Sequence, residues 1–255
     1  MKFKKDFVDI ILPNYNKGNY LEEAINSVLK QTYTNWFLYI IDDCSSDNSI
    51  KVLEKFVDHK NIKIIKLKKN KGPSFCRNYG IRISSSEYIS FLDSDDYWTQ
   101  NKLSEQINFM KENKFEFTFT DYAPFFEKNK IKKFINPTNL TNTLNFEKFT
   151  LNSSINTTTM IISRSILKNL KFKKVSKLED YLFKCEILKR NITAHKFNKN
   201  LAFYRILDKS RSSQRIKNIF YLWRINKKYN QFNVLKNITS IFMISINSLK
   251  KYCLK

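Results

Sequence analysis

Glycine and histidine are scarce in this chain, and each scarcity argues against a class of function. Only three glycines and two histidines occur among 255 residues. Neither the G-x-x-x-x-G-K-[ST] loop nor the G-x-G-x-x-G fingerprint is present, so P-loop phosphoryl transfer and dinucleotide redox chemistry lose their usual support. His59 and His195 lie apart from any second ligand-type residue or obvious nucleophile. A histidine-based catalytic triad is therefore not expected.

Paired cysteines and long apolar runs are also lacking. No run approaches the roughly 18 residues needed to span a bilayer, and the basic N-terminus is interrupted by Asp6 and Asp9 before a signal-like apolar run forms. These absences predict a cytoplasmic protein. The four cysteines lack the spacing of a zinc site or a disulfide framework, which favours a reducing compartment; they are Cys44, Cys76, Cys185 and Cys253.

Positive charge dominates what is present. Lys and Arg number 46 against 23 Asp and Glu, which gives a formal net charge of +23. A strong positive field attracts nucleic acid, anionic lipid or phosphorylated small molecules, although a solvated Lys-rich surface is the plainer explanation. The basic residues are spread along the chain and no nucleic-acid-binding signature is found. We therefore expect no nucleic-acid partner.

Strand and helix signals alternate through the first hundred residues, which predicts parallel βαβ units. Short apolar runs favour buried strands, and amphipathic segments between them favour helices. A helix over 46–57 would be capped by Ser46 or Asp47. The predicted fold class is therefore α/β. Strands are expected over 8–14, 36–43, 61–67 and 88–92, and helices over 19–31, 46–57 and within 70–84.

The second half of the chain is less regular. Apolar spacing predicts a helix over 101–113, and alternation predicts a half-exposed strand over 115–122. Residues 124–156 are Asn/Thr-rich and weakly patterned, which favours a variable, acceptor-facing region. A strand is expected over 157–163. A helix over 177–190 would carry one apolar face, formed by Leu178, Tyr181, Leu182, Cys185 and Leu188.

From about residue 213 the chain becomes basic and aromatic. Lys and Arg with aromatic residues on helices favour the surface of an anionic membrane. A helical pair that packs on the domain and closes the acceptor site is the alternative, and the two are compatible. The apolar run over 238–249 is too short to span a bilayer. One helical face is expected to carry Ile216, Ile219, Phe220 and Trp223.

Three aspartates follow a buried apolar run in "YISFLDSDDYW", where their like charges repel one another. Asp93 and Asp95, with Ser94 between them, can face a hard cation such as Mg²⁺ or Mn²⁺ that also binds a diphosphate. A lone D-x-D is more often a helix N-cap. In open α/β sheets, however, ligands bind outside the carboxyl ends of the strands. The position after a strand therefore favours a metal-diphosphate site.

The other candidate residues have two interpretations each. Asp42 and Asp43 can provide a carboxylate that accepts hydrogen bonds from a base or ribose, or Asp43 and Ser45 can begin a turn. Arg77 can contact phosphate or can be a solvated helix arginine. Glu179 and Asp180 can be a charge pair favoured by the start of a helix, or can contain a general base.

Taken together, these segments resemble the glycosyltransferase family 2 enzymes, which have the GT-A fold. The resemblance is dense over roughly 7–122 and returns at Glu179–Asp180 and at Tyr204–Ser213. It implies a GT-A domain over 1–212, with a nucleotide-sugar half at about 7–122 and an acceptor half at about 123–212. A helical segment over 213–255 would follow. The matching pieces are "VDIILPNYNKGNYLEEAINSVLKQTYTNW", "IIDDCSSDNS", "NKGPSFCRNYGI", "YISFLDSDDYW", "LEDYLF" and "YRILDKSRSS".

Residue roles follow from this resemblance. Asp180 matches the family's catalytic base, and Asp93 and Asp95 match the D-x-D that holds Mg²⁺ or Mn²⁺ on the nucleotide diphosphate, with Asp96 an adjacent candidate. Arg205, with Ser210, matches a motif near the diphosphate or acceptor. The implied donor-binding residues are Pro13 and Tyr15 at the base, Asp42 at the base or ribose, and Arg77, Asp93, Ser94 and Arg205.

The resemblance implies a metal-dependent, inverting transfer from a nucleotide-diphosphate sugar, with UDP-sugar favoured. The chain lacks the Q-x-x-R-W signature and membrane spans of processive members, which implies addition of one sugar. The acceptor would be a lipid-linked, lipopolysaccharide or capsule-type glycan. A sugar nucleotidyltransferase is an alternative, but "NYNKGNYLEE" lacks the Gly-rich, basic loop usual in that class. An inactive nucleotide-binding or assembly scaffold of the same fold is another, although it would be expected to lose the carboxylates.

Overall fold

The amino-terminal half forms successive βαβ units, because its short apolar runs are buried as strands and its amphipathic segments pack back on the sheet as helices. The computed structural model describes residues 3–128, 131–135, 141–207 and 215–252. The elements of this half are β1 (Lys4–Asn14), α1 (Gly18–Leu29), β2 (Trp36–Asp42), α2 (Ser49–Glu54), β3 (Ile62–Lys66), α3 (Pro73–Ile83) and β4 (Ser86–Phe91).

These four strands form a parallel block in the order β3-β2-β1-β4. Their carboxyl ends share one edge, where Asn14 of β1 lies in register with Asp42 of β2. Asp93 follows β4 at the same edge. The predicted α/β fold is confirmed, and its acidic strand ends meet as expected from parallel pairing.

The second half extends the same sheet with mixed directions. The order continues β9-β6-β10-β5, where β9 is antiparallel to β4 and β6, and β10 is parallel to β6. Short 3₁₀ turns lie at Thr157–Thr159 and Arg164–Leu167. The remaining elements are β5 (Tyr97–Trp98), α4 (Lys102–Asn113), β6 (Phe117–Lys128), β7 (Ile131–Phe134), β8 (Thr143–Leu144), α5 (Phe146–Asn152), β9 (Ile161–Ser163), α6 (Glu179–Leu188), β10 (Ala194–Arg205), α7 (Arg215–Lys228) and α8 (Val234–Tyr252).

Apolar packing covers both faces of the sheet. One cluster joins the sheet to α3, α5, α6 and α7, and the other joins it to α1, α2 and α4. In the first cluster Phe172 stacks on Phe183 with ring centroids 3.8 Å apart, and Phe91 meets both rings edge-on. These rings lie directly behind the carboxyl end of β4, so the core supports the acidic edge.

Two strand predictions in the second half are wrong in detail. The segment over 115–122 was expected to be half-exposed, but β6 is buried on both faces from Phe117 to Thr120, because it lies between β9 and β10 inside the sheet. The expected strand over 157–163 is divided. Thr157–Thr159 form a 3₁₀ turn and only Ile161–Ser163 pair as a strand.

Helix faces also differ from the sequence patterns. Leu178 precedes α6 in a left-handed conformation (φ 62°) instead of lying on the helix, and α6 is buried around nearly its whole circumference. On α7 the residues that face the core are Leu222 and Ile225, whereas Phe220, predicted on an apolar face, is 59% exposed. The side chain of Ile216 lies outside the described residues.

The start of α2 lies later than expected, at Ser49. Asp47 accepts hydrogen bonds from the backbone N–H groups of Ser49 (2.9 Å) and of Gly18, the first residue of α1 (2.8 Å). The side chain of Asp47 therefore joins the starts of two helices. Ser46 instead donates its N–H to the side chain of Asn16.

Candidate active site

Asp42 lies at the carboxyl end of β2 and is held by neighbouring polar groups. Its carboxylate accepts hydrogen bonds from Asn14 Nδ2 (2.7 Å), Ser45 Oγ (2.7 Å) and Ser45 N–H (3.0 Å). Only 1% of Asp42 is exposed. These are the contacts of a turn that fixes the ends of β1 and β2, and the contact with a base or ribose stays a prediction.

Pro13 and Tyr15 border this turn. Pro13 pairs with Ile41 of β2, and the Tyr15 side chain is 48% exposed beyond the strand end. Asn16 adopts a positive φ of 51° and donates its N–H to Ser45 Oγ, so that the loop after β1 is tied to the loop after β2. An exposed aromatic ring on a fixed loop is suited to stacking on a planar ligand.

Asp43, the neighbour of Asp42, orders the loop that leads to α3. Its two carboxylate oxygens accept the backbone N–H groups of Lys71 (2.7 Å) and Gly72 (2.8 Å). Gly72 has a positive φ of 84°, which glycine adopts without steric cost. Pro73 then begins the helix. This loop fixes the position of α3 and, with it, of Arg77.

Arg77 joins the D-x-D segment to the acidic pair at the start of α6. Its buried guanidinium donates to Asp93 Oδ1 (2.7 Å), and its Nη1 lies 3.7 Å from Glu179 Oε1. Burial alone would lower the pKa of Arg77, but the negative charges of Asp93, Glu179 and Asp180 raise it above its ordinary value. The arginine is therefore a permanent cation between two groups of carboxylates.

The carboxylates of the D-x-D turn have different environments. Asp93 and Asp95 keep 32% and 23% of their side chains exposed, and Asp95 Oδ2 lies 2.8 Å from Lys17 Nζ. Ser94 and Asp96 are buried. Asp96 accepts hydrogen bonds from Thr158 Oγ1 (2.7 Å) and from the N–H of Arg205 (3.0 Å). The two exposed carboxylates are the ones that a ligand can reach, whereas Asp96 supports the turn from behind.

The environment of Asp96 also favours its neutral form. Burial, followed by the charges of Asp95 and Asp93, raises the pKa of Asp96 well above its ordinary value. The hydrogen bonds from Thr158 and Arg205 oppose this shift without cancelling it. Asp96 is therefore suited to a supporting role behind the turn, where it is out of reach of a ligand.

Asp180 stands at the start of α6 with its side chain 38% exposed. Its Oδ2 accepts hydrogen bonds from Lys184 Nζ (3.0 Å) and Thr157 Oγ1 (3.3 Å). Burial would raise the pKa of Asp180, but the positive charges of Lys184 and Arg77 and hydrogen bonds from Lys184 and the Tyr181 N–H lower it to about 2. The carboxylate is therefore ionised, as a general base must be before it accepts a proton.

Two adjacent threonines place Asp180 beside the D-x-D turn. Thr157 donates to Asp180, whereas Thr158 donates to Asp96 and accepts a long hydrogen bond from the N–H of Asp93 (3.4 Å). The 3₁₀ turn therefore contacts both groups of carboxylates. Together with Arg77, it brings the predicted base and the predicted metal ligands into one site.

Arg205 lies behind the D-x-D turn. Its guanidinium forms ion pairs with Glu23 and Glu127, and its Nε donates to the backbone carbonyl of Asp95 (2.9 Å). The side chain is 1% exposed and lies between the rings of Tyr20 and Phe125. These contacts support the turn, and a contact with diphosphate or acceptor stays a prediction. Ser210 lies outside the described residues.

Sequence patterns did not identify several residues of the site. Lys17, Thr157, Thr158 and Lys184 contact the carboxylates, but nothing in their local sequence marks them. The threonines belonged to an expected strand. The only available signal was the spacing of four between Asp180 and Lys184, which pairs the two side chains if the segment is helical.

A divalent cation fits the chemistry of Asp93 and Asp95. Each carboxylate has one oxygen in an ion pair, with Arg77 or Lys17, and a second oxygen outside that pair. Within the described ranges, no group of three or more His, Cys, Asp or Glu residues is arranged to hold a metal without other ligands. Mg²⁺ and similar hard ions are commonly held by one or two carboxylates together with substrate phosphates and water. The donor set therefore suits a cation that arrives with a diphosphate.

Comparison with solved structures defines the architecture. The chain matches S. aureus TarS 1–349 in complex with UDP-GlcNAc with a TM-score of 0.72 at 19% identity, covering 96% of this chain and 73% of that one. It also matches the mannosyltransferase PcManGT from Pyrobaculum calidifontis in complex with GDP-Man and Mn²⁺, with a TM-score of 0.69 at 12% identity, over 94% and 72% of the two chains. The fold is that of GT-A glycosyltransferases.

Sequence comparison gives the family. The profile of Glycosyl transferase family 2 matches residues 9–171. The glucosyltransferase WfgD of Escherichia coli is 35% identical over 96% of this chain and 94% of its own length. The putative teichuronic acid biosynthesis glycosyltransferase TuaG of Bacillus subtilis is 30% identical over 97% and 98%. The chain belongs to glycosyl transferase family 2 and is a glycosyltransferase.

Proposed function

We propose that this enzyme transfers one sugar from a nucleotide-diphosphate sugar to a hydroxyl group of a lipid-linked, lipopolysaccharide or capsule-type glycan, with inversion at the anomeric carbon. The observation that carries the proposal is the convergence of two acidic groups. Arg77 and the Thr157–Thr159 turn hold Asp180 beside the D-x-D turn. A base and a diphosphate site next to each other are what a direct displacement requires.

The donor would occupy the carboxyl edge of the sheet. Tyr15 would stack on the base beside Pro13, and Asp42 would lie near the base or ribose. Arg77 and Ser94 would lie near the diphosphate. Two guanidinium nitrogens of Arg77, Nε and Nη1, are buried without a hydrogen-bond acceptor within the described part of the chain, which supports a ligand rich in oxygen acceptors here. Arg205 would act on the donor side only through the turn that it supports.

Asp93 and Asp95 would hold Mg²⁺ or Mn²⁺. The cation would supply charge neutralisation and Lewis acidity at the leaving diphosphate. The solved structure of PcManGT contains GDP-Man and Mn²⁺, which supports the use of a divalent cation with a nucleotide sugar. Lys17 adds a second positive charge next to Asp95 and would attract the same diphosphate.

Asp180 would accept the proton of the acceptor hydroxyl while the acceptor oxygen bonds to the anomeric carbon. The bond to the diphosphate breaks on the opposite face of the sugar, and its electrons leave with the diphosphate. Because the attacking and leaving groups occupy opposite faces, the configuration inverts. The charged state of Asp180 is already favoured by Lys184 and Arg77.

Two relatives that match over nearly their whole length, together with one solved structure, support the proposed acceptor class and donor. WfgD is described as a UDP-Glc:α-D-GlcNAc-diphosphoundecaprenol β-1,3-glucosyltransferase. TuaG is described in teichuronic acid biosynthesis, and the TarS structure contains UDP-GlcNAc. A UDP-hexose donor and a lipid-diphosphate glycan acceptor are therefore favoured for this chain.

We also propose that the helical segment after residue 213 contacts an anionic membrane from the cytoplasmic side. β10, which ends at Arg205, is the last strand along the described chain. From residue 215 onward the described chain is helical apart from the connection over 229–233. This change supports a boundary near residue 213. In the described ranges, no helix has the length and apolar character to cross a bilayer. Basic helices with an apolar face that lie on a membrane surface would bring the site close to a lipid-linked acceptor.

The outer face of α8 has the composition that membrane contact requires. Leu235, Ile238 and Phe242 are 74%, 52% and 62% exposed, and their spacing of three and four places them on one helical face. Lys227, Lys228 and Lys236 are exposed nearby in the sequence. Apolar side chains would enter the headgroup region while the lysines pair with anionic lipid.

Nucleotide binding tests the donor proposal. Thermal shift and calorimetry with UDP, GDP, dTDP and CMP, each with and without Mn²⁺, should show metal-dependent stabilisation by UDP that Asp95→Asn weakens. Asp180→Asn should bind the same nucleotide with nearly unchanged affinity and lose transfer to a lipid-linked glycan. If no nucleotide bound under any metal condition, an inactive scaffold would become the better interpretation.

Liposome flotation tests the membrane proposal. The double variant Leu235→Ser, Phe242→Ser should lower partitioning onto anionic vesicles by at least about tenfold, because two large apolar side chains each contribute roughly 1.5–3 kcal/mol when buried. Val57→Ser is the matched control, since Val57 is 52% exposed but lies after α2. Equal partitioning of both variants and the wild type would refute the contact.

A further inference from the structure

Lys184 is a buried lysine whose ammonium group is directed at the proposed base. Its side chain is 3% exposed, and its Nζ donates to Asp180 Oδ2 (3.0 Å) and to the backbone carbonyl of Ile155 (2.7 Å). Lysine is seldom buried to this extent unless it is paired. The carbonyl and the carboxylate belong to different elements, so Lys184 fixes α6 to the segment that precedes the Thr157–Thr159 turn.

The two side-chain contacts of Asp180 converge on one oxygen. Lys184 Nζ and Thr157 Oγ1 both donate to Oδ2, and within the described ranges no side-chain hydrogen bond is made to Oδ1. A carboxylate with one oxygen fixed from two directions loses rotational freedom about its terminal torsion. The side chain of Asp180 is 38% exposed, so its second oxygen is the one left for an incoming hydroxyl if the first stays fixed.

We propose that Lys184 is a positioning residue for the transfer reaction: it holds Asp180 Oδ2, and thereby presents Asp180 Oδ1 to the acceptor hydroxyl. This inference rests on the proposed role of Asp180 as the base. In the reaction, Oδ1 takes the hydroxyl proton as the acceptor oxygen bonds to the anomeric carbon, and the diphosphate leaves with the electrons of the broken bond.

The charges around Asp180 give the inference a measurable consequence. Lys184 from α6 and Arg77 from α3 are the cations that face Asp180, and the negative charges of Asp93 and Glu179 are themselves paired with Arg77. Burial raises the pKa of Asp180, and without Lys184 this effect would be opposed mainly by the positive charge of Arg77. The pKa of Asp180 should therefore rise in a variant that lacks Lys184. Because the pKa of Asp180 is about 2 in the wild type, other groups set the acid limb of kcat/KM there, and Asp180 enters that limb only once its pKa has risen.

The test compares Lys184→Met with wild type in the full chain, using a UDP-sugar, Mn²⁺ and a diphosphate-linked glycan acceptor. We expect kcat to fall about tenfold or more, because one anchor of the base is lost. We expect kcat/KM to fall off at a higher pH on the acid side than in the wild type, because the raised pKa of Asp180 enters that limb. The donor KM should remain within about twofold, since Lys184 does not contact the D-x-D turn.

Three further variants keep the result interpretable. Lys173→Met is the matched control, because Lys173 also pairs with a carboxylate on α6, that of Glu186 (3.0 Å), but away from Asp180. This variant should keep the wild-type acid limb of kcat/KM. Thr157→Val removes the other contact to Oδ2 without removing a charge. It should lower kcat with little change in the acid limb, and it tests the same anchoring if Lys184→Met fails to fold. Lys184→Arg should restore the acid limb.

The outcomes separate this inference from the proposed function. If Asp180→Asn abolishes transfer but Lys184→Met keeps both wild-type kcat and the wild-type acid limb, the positioning role is refuted and the base assignment stands. If Asp180→Asn keeps full turnover, the base assignment itself fails. If Lys184→Met does not fold, wild-type kcat in Thr157→Val refutes the anchoring of Oδ2.

Discussion

Replacement of Lys102 tests how the protein tolerates a buried amine beneath the D-x-D turn. Lys102 is fully buried, and its Nζ donates to Ser90 Oγ (2.9 Å) and lies 3.9 Å from the centroid of the Trp98 ring. Within the described residues, no carboxylate forms an ion pair with it. Trp98 in turn donates its indole N–H to the carbonyl of Thr158 (2.9 Å). Lys102→Met keeps the apolar stem and removes the amine.

The expected effect is an increase in stability. Burial lowers the pKa of Lys102 well below its ordinary value, so the unfolded chain binds a proton that the folded chain does not. At about pH 7.5, roughly three units below the pKa of free lysine, this difference costs the folded state at most about 4 kcal/mol. Loss of the hydrogen bond to Ser90 offsets about 1 kcal/mol. We therefore expect Lys102→Met to raise the free energy of unfolding by up to about 3 kcal/mol.

The pH dependence has a definite sign. Because the unfolded state binds more protons, the stability of the wild type rises with pH between the lowered pKa and that of free lysine. Urea unfolding at about pH 7, 8 and 9 should therefore show the gap between Lys102→Met and wild type narrowing by up to about 1.4 kcal/mol per pH unit. Parallel pH curves for the two proteins would refute the reasoning, since they would mean that Lys102 keeps its proton in the fold.

Two further substitutions probe the support of the site. Thr158→Val should lower the free energy of unfolding by about 1–3 kcal/mol, because it removes a hydrogen-bond donor from the buried carboxyl group of Asp96. Urea unfolding would measure this loss as a lower midpoint concentration of urea with the same dependence on urea as the wild type. An unchanged midpoint would contradict the prediction. Gly80→Ala should cost about 1–3 kcal/mol, because its Cβ would lie 2.6 Å from Ile11 Cγ2. Ile11→Ala removes the Cγ2 atom, so in the double variant the two losses should be less than additive if this contact is the cause, whereas additive losses would point elsewhere.

Local patterns were sufficient for the amino-terminal half of the fold. Its strands are short apolar runs bounded by turn residues, and β1 to β4 lie close to their expected positions. The acidic residues follow two of these strands directly, so parallel pairing brings Asp42 and Asp93 to one edge without further information. In this half, the apolar runs that are visible in the sequence are the same ones that are buried as strands in the sheet.

Strand β10 could not be predicted from local patterns, because one of its charged residues is paired across the sheet. Lys196 lies within β10, and a lysine at such a position predicts exposure to solvent. In the structure Lys196 is buried and lies 3.3 Å from Asp121 of the neighbouring strand β6. A charge that is buried through a partner 75 residues away leaves no local signal.

The sequence by itself determined the α/β class, the acidic segments and the family resemblance, because these depend on residues that are adjacent in the chain. Only the tertiary structure decided which charges meet. Arg77 bridges Asp93 and Glu179, and Lys184 turns inward to hold Asp180, because α3, α6 and the Thr157–Thr159 turn pack at one edge of the sheet. Helical spacing can bring Lys184 within reach of Asp180, but burial of the pair is set by the elements packed around it.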